Sequence, residues 1–342
     1  MMKERDSNIE LLRIIATLFI LIVHCNGWFL REWGGITGWN TGSNAVAMSR
    51  ILIQNISCLG VDLFILISGF YGIRPKLKSI VNLFTLLVFF YVGCYLLNCY
   101  VVHESFSIRR LFDNALAFSH TNWYINSYLF LMLLSPMVNA FVDAADTRKL
   151  GWYALAFCLI TLYFGQLRDN AYWFYNQGYS VIVMLGIYLV GRFLNRMKET
   201  LSNIKYRHLL ISFVGMLGLM TMVRVLSSND EAWLHYGSPI TIIAACIFFT
   251  IFYRLPKFHS KAINWIGASC LAAFIFHTCA PIVSWLAETN VRIFTSDVYP
   301  VYCLKMGAMI IGVFMVAILL DKIRLLLFKP LIKWSGKVQS LN

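Results

Sequence analysis

Ten predominantly apolar stretches, at 9–30, 49–72, 80–102, 121–142, 150–167, 178–195, 207–226, 237–253, 263–286 and 301–327, occupy most of this chain. A hydrocarbon core about 30 Å thick is crossed by about 20 residues of α-helix, and inside it a segment must satisfy its own backbone polar groups. The stretches therefore read as helices. The expected fold is all-α: a polytopic membrane protein with about ten transmembrane helices, one integral-membrane domain over about 9–327 and a short basic tail at 328–342. The longest irregular connections are 31–48 and 103–120, and no internal repeat is visible. Composition supports this reading. With 59% hydrophobic and 13% charged residues, the chain has too little charge to coat a soluble body of its length. Disordered, collagenous and nucleic-acid-binding classes are excluded.

The formal net charge of +13 then has to be explained by topology. With a cytoplasmic N-terminus, twenty basic residues fall on the inner side, among them Lys3, Arg5, Arg74, Lys76, Lys78, Arg192, Arg196 and Lys322. Only Arg31, Arg109, Arg110, Arg168 and Arg292 fall outside. Cytoplasmic loops carry the excess of Lys and Arg, so both termini are expected to be cytoplasmic. The basic pI then records orientation and contact with membrane lipids, and no nucleic-acid partner is expected. Most of the nine cysteines lie inside apolar runs without metal-ligand spacing, so neither a disulfide framework nor a metal site is expected. No small-x-small cleavage site follows the first run, which continues His24-Cys25-Asn26-Gly27-Trp28. It is expected to stay as a membrane helix.

Ionisable residues inside spans are costly and mark candidate sites. The first run carries Glu10, Arg13 and His24. Arg13 and His24 are eleven residues apart, about 16 Å along a helix and about 20° around it, so they share a face. Arg13 reads as an anion-holding cation or as a snorkelling anchor; His24 reads as a reactive imidazole or as a partner in an interhelical hydrogen bond. The second run, CLGVDLFILISGFYG, places Asp62 in mid-membrane, where it needs a cation or a polar cavity, and Ser68-Gly69-Phe70 near its inner end. The alternative there is tight helix packing at Gly60 and Gly69 with a structural ion pair. In the ninth run His277 stands about 21 Å above Ile263, the depth of His24 in its own helix. On the outer side His120, Asn122, Trp123 and Tyr124 open the fourth run, either as an acceptor-binding surface or as an interfacial belt. Lys305 and Arg224 remain as unassigned cations within spans.

These segments together resemble the acyltransferase-3 family of bacterial integral-membrane acyltransferases, over about residues 5–327. ELLRIIATLFILIVH is similar to the family's first-helix Arg-x10-His motif at Arg13 and His24. GVDLFILISGF is similar to its second-helix segment at Gly60, Val61, Asp62, Phe64, Ser68, Gly69 and Phe70. TNWYINSYLFLMLLSP matches at Trp123, Tyr128 and Pro136, and AAFIFH at His277, with Phe274 or Phe276 where a tyrosine is usual. Ending at Asn342, the chain resembles the stand-alone branch, without an appended soluble domain.

The resemblance implies a multi-pass protein of the bacterial plasma (inner) membrane that uses acyl-CoA, usually acetyl-CoA, as co-substrate, with no permanently bound cofactor. The acceptor would be a hydroxyl of a surface polysaccharide, glycan or lipid-linked oligosaccharide. On that reading Arg13 and Ser68 bind the donor, and His24, Asp62 and His277 are catalytic. His24 would act as general base or as a transient acyl carrier. Trp123, Tyr124 and His120 would meet the acceptor. A transporter of surface-glycan intermediates is the rival reading, and it predicts the repeat symmetry that the chain lacks.

Overall fold

The computed structural model describes residues 6–39, 42–116, 122–168, 175–227 and 230–339. Every regular element among them is helical, and each of the ten apolar runs coincides with helix. The main helices are α1 (Ser7–Glu32), α2 (Asn44–Tyr71), α3 (Leu77–Val101), α4 (Ile108–Ala115), α5 (Trp123–Ala144) and α6 (Thr147–Leu167). They continue as α7 (Val181–Arg196), α8 (Tyr206–Leu226), α9 (Pro239–Tyr253), α10 (Lys261–His277), α11 (Ala280–Ser296), α12 (Tyr299–Leu327) and α13 (Lys329–Gln339).

Seven of these, α1, α2, α3, α5, α6, α8 and α12, are long and apolar enough to cross a membrane, and the pair α10 and α11 raises the number to eight if it is one span. The remaining expected spans fall on shorter helices, α7 with 16 residues and α9 with 15. At 1.5 Å per residue these rise about 24 and 22 Å, less than the hydrocarbon thickness. The ninth run differs from the straight helix expected of it. It breaks after His277, and α11 leaves at 81° to α10. The cause is local: Pro281, in the first turn of α11, lacks an N–H, and its ring excludes the carbonyl of the residue four back, His277. The tail likewise departs from a plain basic extension, because 329–339 forms α13 and packs along α3.

Two units are distinguished by their internal contacts. One takes residues up to Ile20, 47–74 and 123–264; the other takes 21–46, 75–122 and 265–342. In the first unit, glycine lets backbones meet. A Cβ on Gly60 of α2 would stand 2.7 Å from the Ala16 carbonyl of α1, and one on Gly69 would stand 2.3 Å from the Tyr188 carbonyl of α7. Gly191 of α7 completes the crossing, a Cβ there standing 2.9 Å from the Gly69 Cα. Small residues serve this purpose where dispersion and packing drive helix association in lipid. α2 ends at Gly72 in a positive-φ cap. Beyond it the Asn139 amide donates to the Ile73 carbonyl, and the Tyr188 hydroxyl accepts from Ile73 N–H and donates to Asn139 Oδ1.

The leftover cations find their places here. Arg224 Nε donates to Asn55 Oδ1 at 2.6 Å, and Lys305 pairs with Asp297 at 2.9 Å. In the second unit Arg324, counted with the inner loop charges in the sequence, is instead buried. Its guanidinium pairs with Asp321 at 2.7 Å and donates to the Asn82 carbonyl, Asn82 Oδ1 and Thr85 of α3.

The Gly69 crossing gives a stability prediction. Gly69→Ala puts a methyl group against an immovable backbone carbonyl, and the folded fraction recovered in detergent should collapse. Gly215→Ala, on an exposed face of α8 with nothing within 4 Å, should be neutral or stabilising by about 0.5–1 kcal/mol. Thermal unfolding of the two purified variants checks both, and equal melting temperatures would refute the close-approach argument.

Candidate active site

The two membrane histidines meet in the second unit. α1 is α-helical to Val23, passes through a π turn at His24–Trp28, and resumes as α-helix at Phe29. Such a turn holds one extra residue and is frequent at functional sites. Its sequence, HCNGW, includes Asn26 and Gly27, poor helix formers that resist an α continuation little. The Phe29 N–H reaches back five residues to the His24 carbonyl and no longer serves the Cys25 carbonyl four residues back. Asn290 of α11 supplies a donor there instead, its Nδ2 standing 2.8 Å from Cys25 O. The Tyr302 hydroxyl of α12 donates in turn to Asn290 Oδ1 at 3.3 Å.

His277 is the last residue of α10. Its Nε2 lies 3.0 Å from His24 Nδ1, and its Nδ1 lies 3.0 Å from the Ala273 carbonyl. A carbonyl only accepts, so in the neutral pair His277 carries its proton on Nδ1 and offers a lone pair at Nε2. His24 must then donate from Nδ1, which leaves His24 Nε2 as a bare lone pair. The tautomers follow from the order of the hydrogen bonds. His277 is fully buried, and His24 is the more exposed of the two rings. Trp28 presents its ring edge-on to His24 at 5.0 Å. Phe274 does the same to His277 at 5.6 Å, so neither it nor Phe276 brings a hydroxyl to the pair. Where α10 ends, the Ile275 carbonyl accepts from the Thr278 N–H at 3.2 Å and also receives the Thr278 hydroxyl at 2.9 Å and the Cys279 thiol at 3.4 Å.

The other candidates belong to the first unit. Arg13 pairs with Glu10 one turn earlier at 2.5 Å, with side chains 30% and 3% exposed. Ser68 donates to the Phe64 carbonyl of its own helix, and the neighbouring Gly69 is a packing contact. Asp62 is fully buried, and neither carboxyl oxygen has a hydrogen-bond partner. The Thr241 hydroxyl and the Gly237 N–H face it, but Thr241 donates to the carbonyls of His235 and Ser238. No cation among the described residues pairs with Asp62, so the structural ion pair of the alternative reading is not seen there.

Trp123 is half-buried in an aromatic cluster that the sequence did not single out. It stacks on Tyr236 at 5.8 Å and 24° and meets Tyr179 edge-on at 4.7 Å. Tyr124 is buried and stacked on Tyr128 at 6.0 Å. His120 lies outside the described residues. Asn290, Tyr302, Tyr179 and Tyr236 were missed because they fall in or beside segments that read as outer loops. The one usable signal was the pair of helix-weak residues Asn26 and Gly27, two and three positions after His24.

A family model described as an acyltransferase domain matches residues 6–321, while comparison with curated proteins and with solved structures found no match. The matched region takes in α1 through α11 and most of α12, including the Arg-x10-His helix, the GVDLFILISGF segment and the His277 break. On this match, and with seven apolar helices long enough to span a bilayer, the chain belongs to the acyltransferase-3 family and is a multi-pass membrane acyltransferase.

Proposed function

We propose that the protein moves an acyl group, acetyl in the first instance, from cytoplasmic acyl-CoA to a hydroxyl of an extracytoplasmic or lipid-linked carbohydrate, in the plasma membrane of a bacterium. The observation that carries this reading is the His24–His277–Ala273 relay with its bare Nε2. That atom takes the proton of the acceptor hydroxyl as its oxygen attacks the thioester carbonyl. The carbon–sulfur bond then breaks, and the departing thiolate recovers the proton from His24, yielding the ester and free coenzyme A. While His24 is protonated, its Nδ1–H bond to His277 is charge-assisted. The chain ends on a carbonyl in the last turn of α10, where a helix favours positive charge. His277 and the carbonyl thus do for His24 what an orienting carboxylate does in a hydrolase triad.

Arg13, on the same helix as His24, supports a donor-phosphate role with the guanidinium donors that Glu10 leaves over. The excess of basic residues on one side of the chain supports donor entry from the cytoplasm. Trp123, Tyr179 and Tyr236 supply the aromatic faces that carry the C–H surface of a sugar. Surface glycans from cells with and without the gene, compared by mass spectrometry, should differ by one acyl group per modified unit. Identical glycans from the two strains would refute the carbohydrate acceptor.

His24→Ala should lower transfer by about 10²–10⁴-fold while the purified protein stays folded; more than about a tenth of wild-type turnover would end the general-base role. At position 277 the order of activities should be His, then Gln, then Phe, because glutamine can still accept from His24 Nδ1 and phenylalanine cannot. Equal loss in both variants would refute the relay.

Arg13→Ala should cost stability as well as donor affinity, since it removes the cation paired with the buried Glu10 carboxylate. In the double variant Arg13→Ala/Glu10→Gln, stability should return while acetyl-CoA affinity stays low, as read by calorimetry. Recovery of affinity with stability would remove Arg13 from the donor site. Trp123→Ala should raise the acceptor KM and leave acetyl-CoA binding unchanged; parallel loss of both would make Trp123 a packing residue.

A further inference from the structure

We infer that Asn290 is a positioning residue for His24, holding open the π turn that aims the imidazole at its partner. The inference rests on His24 being the reacting base. Its physical ground is a backbone carbonyl without its helical donor. In a regular helix Cys25 O would accept from Phe29 N–H, but that N–H is committed to His24 O. The Asn290 amide fills the vacancy at 2.8 Å, and both residues are buried. A carbonyl left without a donor in an apolar interior costs about 1–3 kcal/mol. Without Asn290 the least costly remedy is for Phe29 N–H to return to Cys25 O. That removes the extra residue from the turn and rotates His24 relative to the rest of α1.

The same broken span grips the turn twice. His277, at the end of α10, holds the ring of His24 at 3.0 Å, and Asn290, on α11, holds the carbonyl of the next residue. Tyr302 fixes which way the Asn290 amide faces: its hydroxyl donates to Oδ1, which leaves Nδ2 towards Cys25. The 81° bend between α10 and α11 therefore delivers two side chains, not one, to a single turn of α1.

The test uses the full-length enzyme in detergent or nanodiscs, with acetyl-CoA and an acceptor glycan. Asn290→Leu, close in volume but without a donor, should lower kcat by about 10²-fold and leave both KM values near wild type. Tyr302→Phe, which removes one hydroxyl and little packing volume, should lower kcat per folded molecule by about fivefold and leave both KM values near wild type. In a His277→Ala background, Asn290→Leu should cost little more, because the geometry it protects is already lost; a purely structural role would give additive losses. His24→Ala is measured alongside. If it stays active, the general-base reading itself fails. If it is inactive while Asn290→Leu keeps wild-type kcat per folded molecule, or shows additive loss with His277→Ala, the positioning role fails alone. Should Asn290→Leu not fold, Tyr302→Phe decides: unchanged kcat overturns the inference, and reduced kcat at unchanged KM upholds it.

Discussion

A backbone carbonyl released from a helix inside a bilayer has no water to turn to, and the two segments that carry the paired histidines each depart from the regular helix. One departure is the π turn of α1 at His24–Trp28; the other is the break between α10 and α11. At the first, the Asn290 side chain supplies a donor to Cys25 O; at the second, the Thr278 N–H and hydroxyl both turn to Ile275 O. Irregular backbone at membrane depth is tolerated where protein surrounds it. The histidine pair is what the repaired irregularity makes possible, since His24 opens the turn and His277 closes the helix before the break.

The relay has a direction that follows from its last member. Because the Ala273 carbonyl can only accept, each imidazole upstream is forced into one tautomer, and the basic lone pair emerges at His24 Nε2. His277 is fully buried, while the His24 side chain is the less buried of the two. Under the proposed reading, one proton would be taken, held and returned at this pair.

The fold was legible in the sequence to the extent that hydrophobic length decides it. Runs such as 80–102 and 301–327 became α3 and α12 within a few residues. Where local chemistry competed with length, the reading was coarser. Pro281 bends the ninth run, α7 and α9 are shorter than a bilayer, and the basic tail carries the helix α13. The Gly60 and Gly69 crossings were available as an alternative in the sequence, and the structure adopts both. Arg324 shows the limit of counting charges by segment: its partners Asn82 and Thr85 lie about 240 residues earlier in the chain.

For the site, the sequence by itself determined which residues are unusual: His24, Asp62 and His277 are polar groups in hydrocarbon, and such groups are kept only for a reason. It also set their depth, because rise along a helix depends on residue number alone. What tertiary structure decided was partnership. That His24 and His277 share a hydrogen bond, that Arg13 is already paired with Glu10, that Tyr124 is buried while Trp123 sits with Tyr179 and Tyr236, and that Asn290 reaches Cys25 all depend on which helices are neighbours and how each is rotated. Rotation is where the π turn matters. One extra residue in a turn leaves the hydrophobic pattern of a membrane helix intact, since lipid accepts an apolar side chain in any direction, yet it re-aims the imidazole at the head of that turn. Hydrophobicity records how deep a residue lies, and only packing records which way it faces.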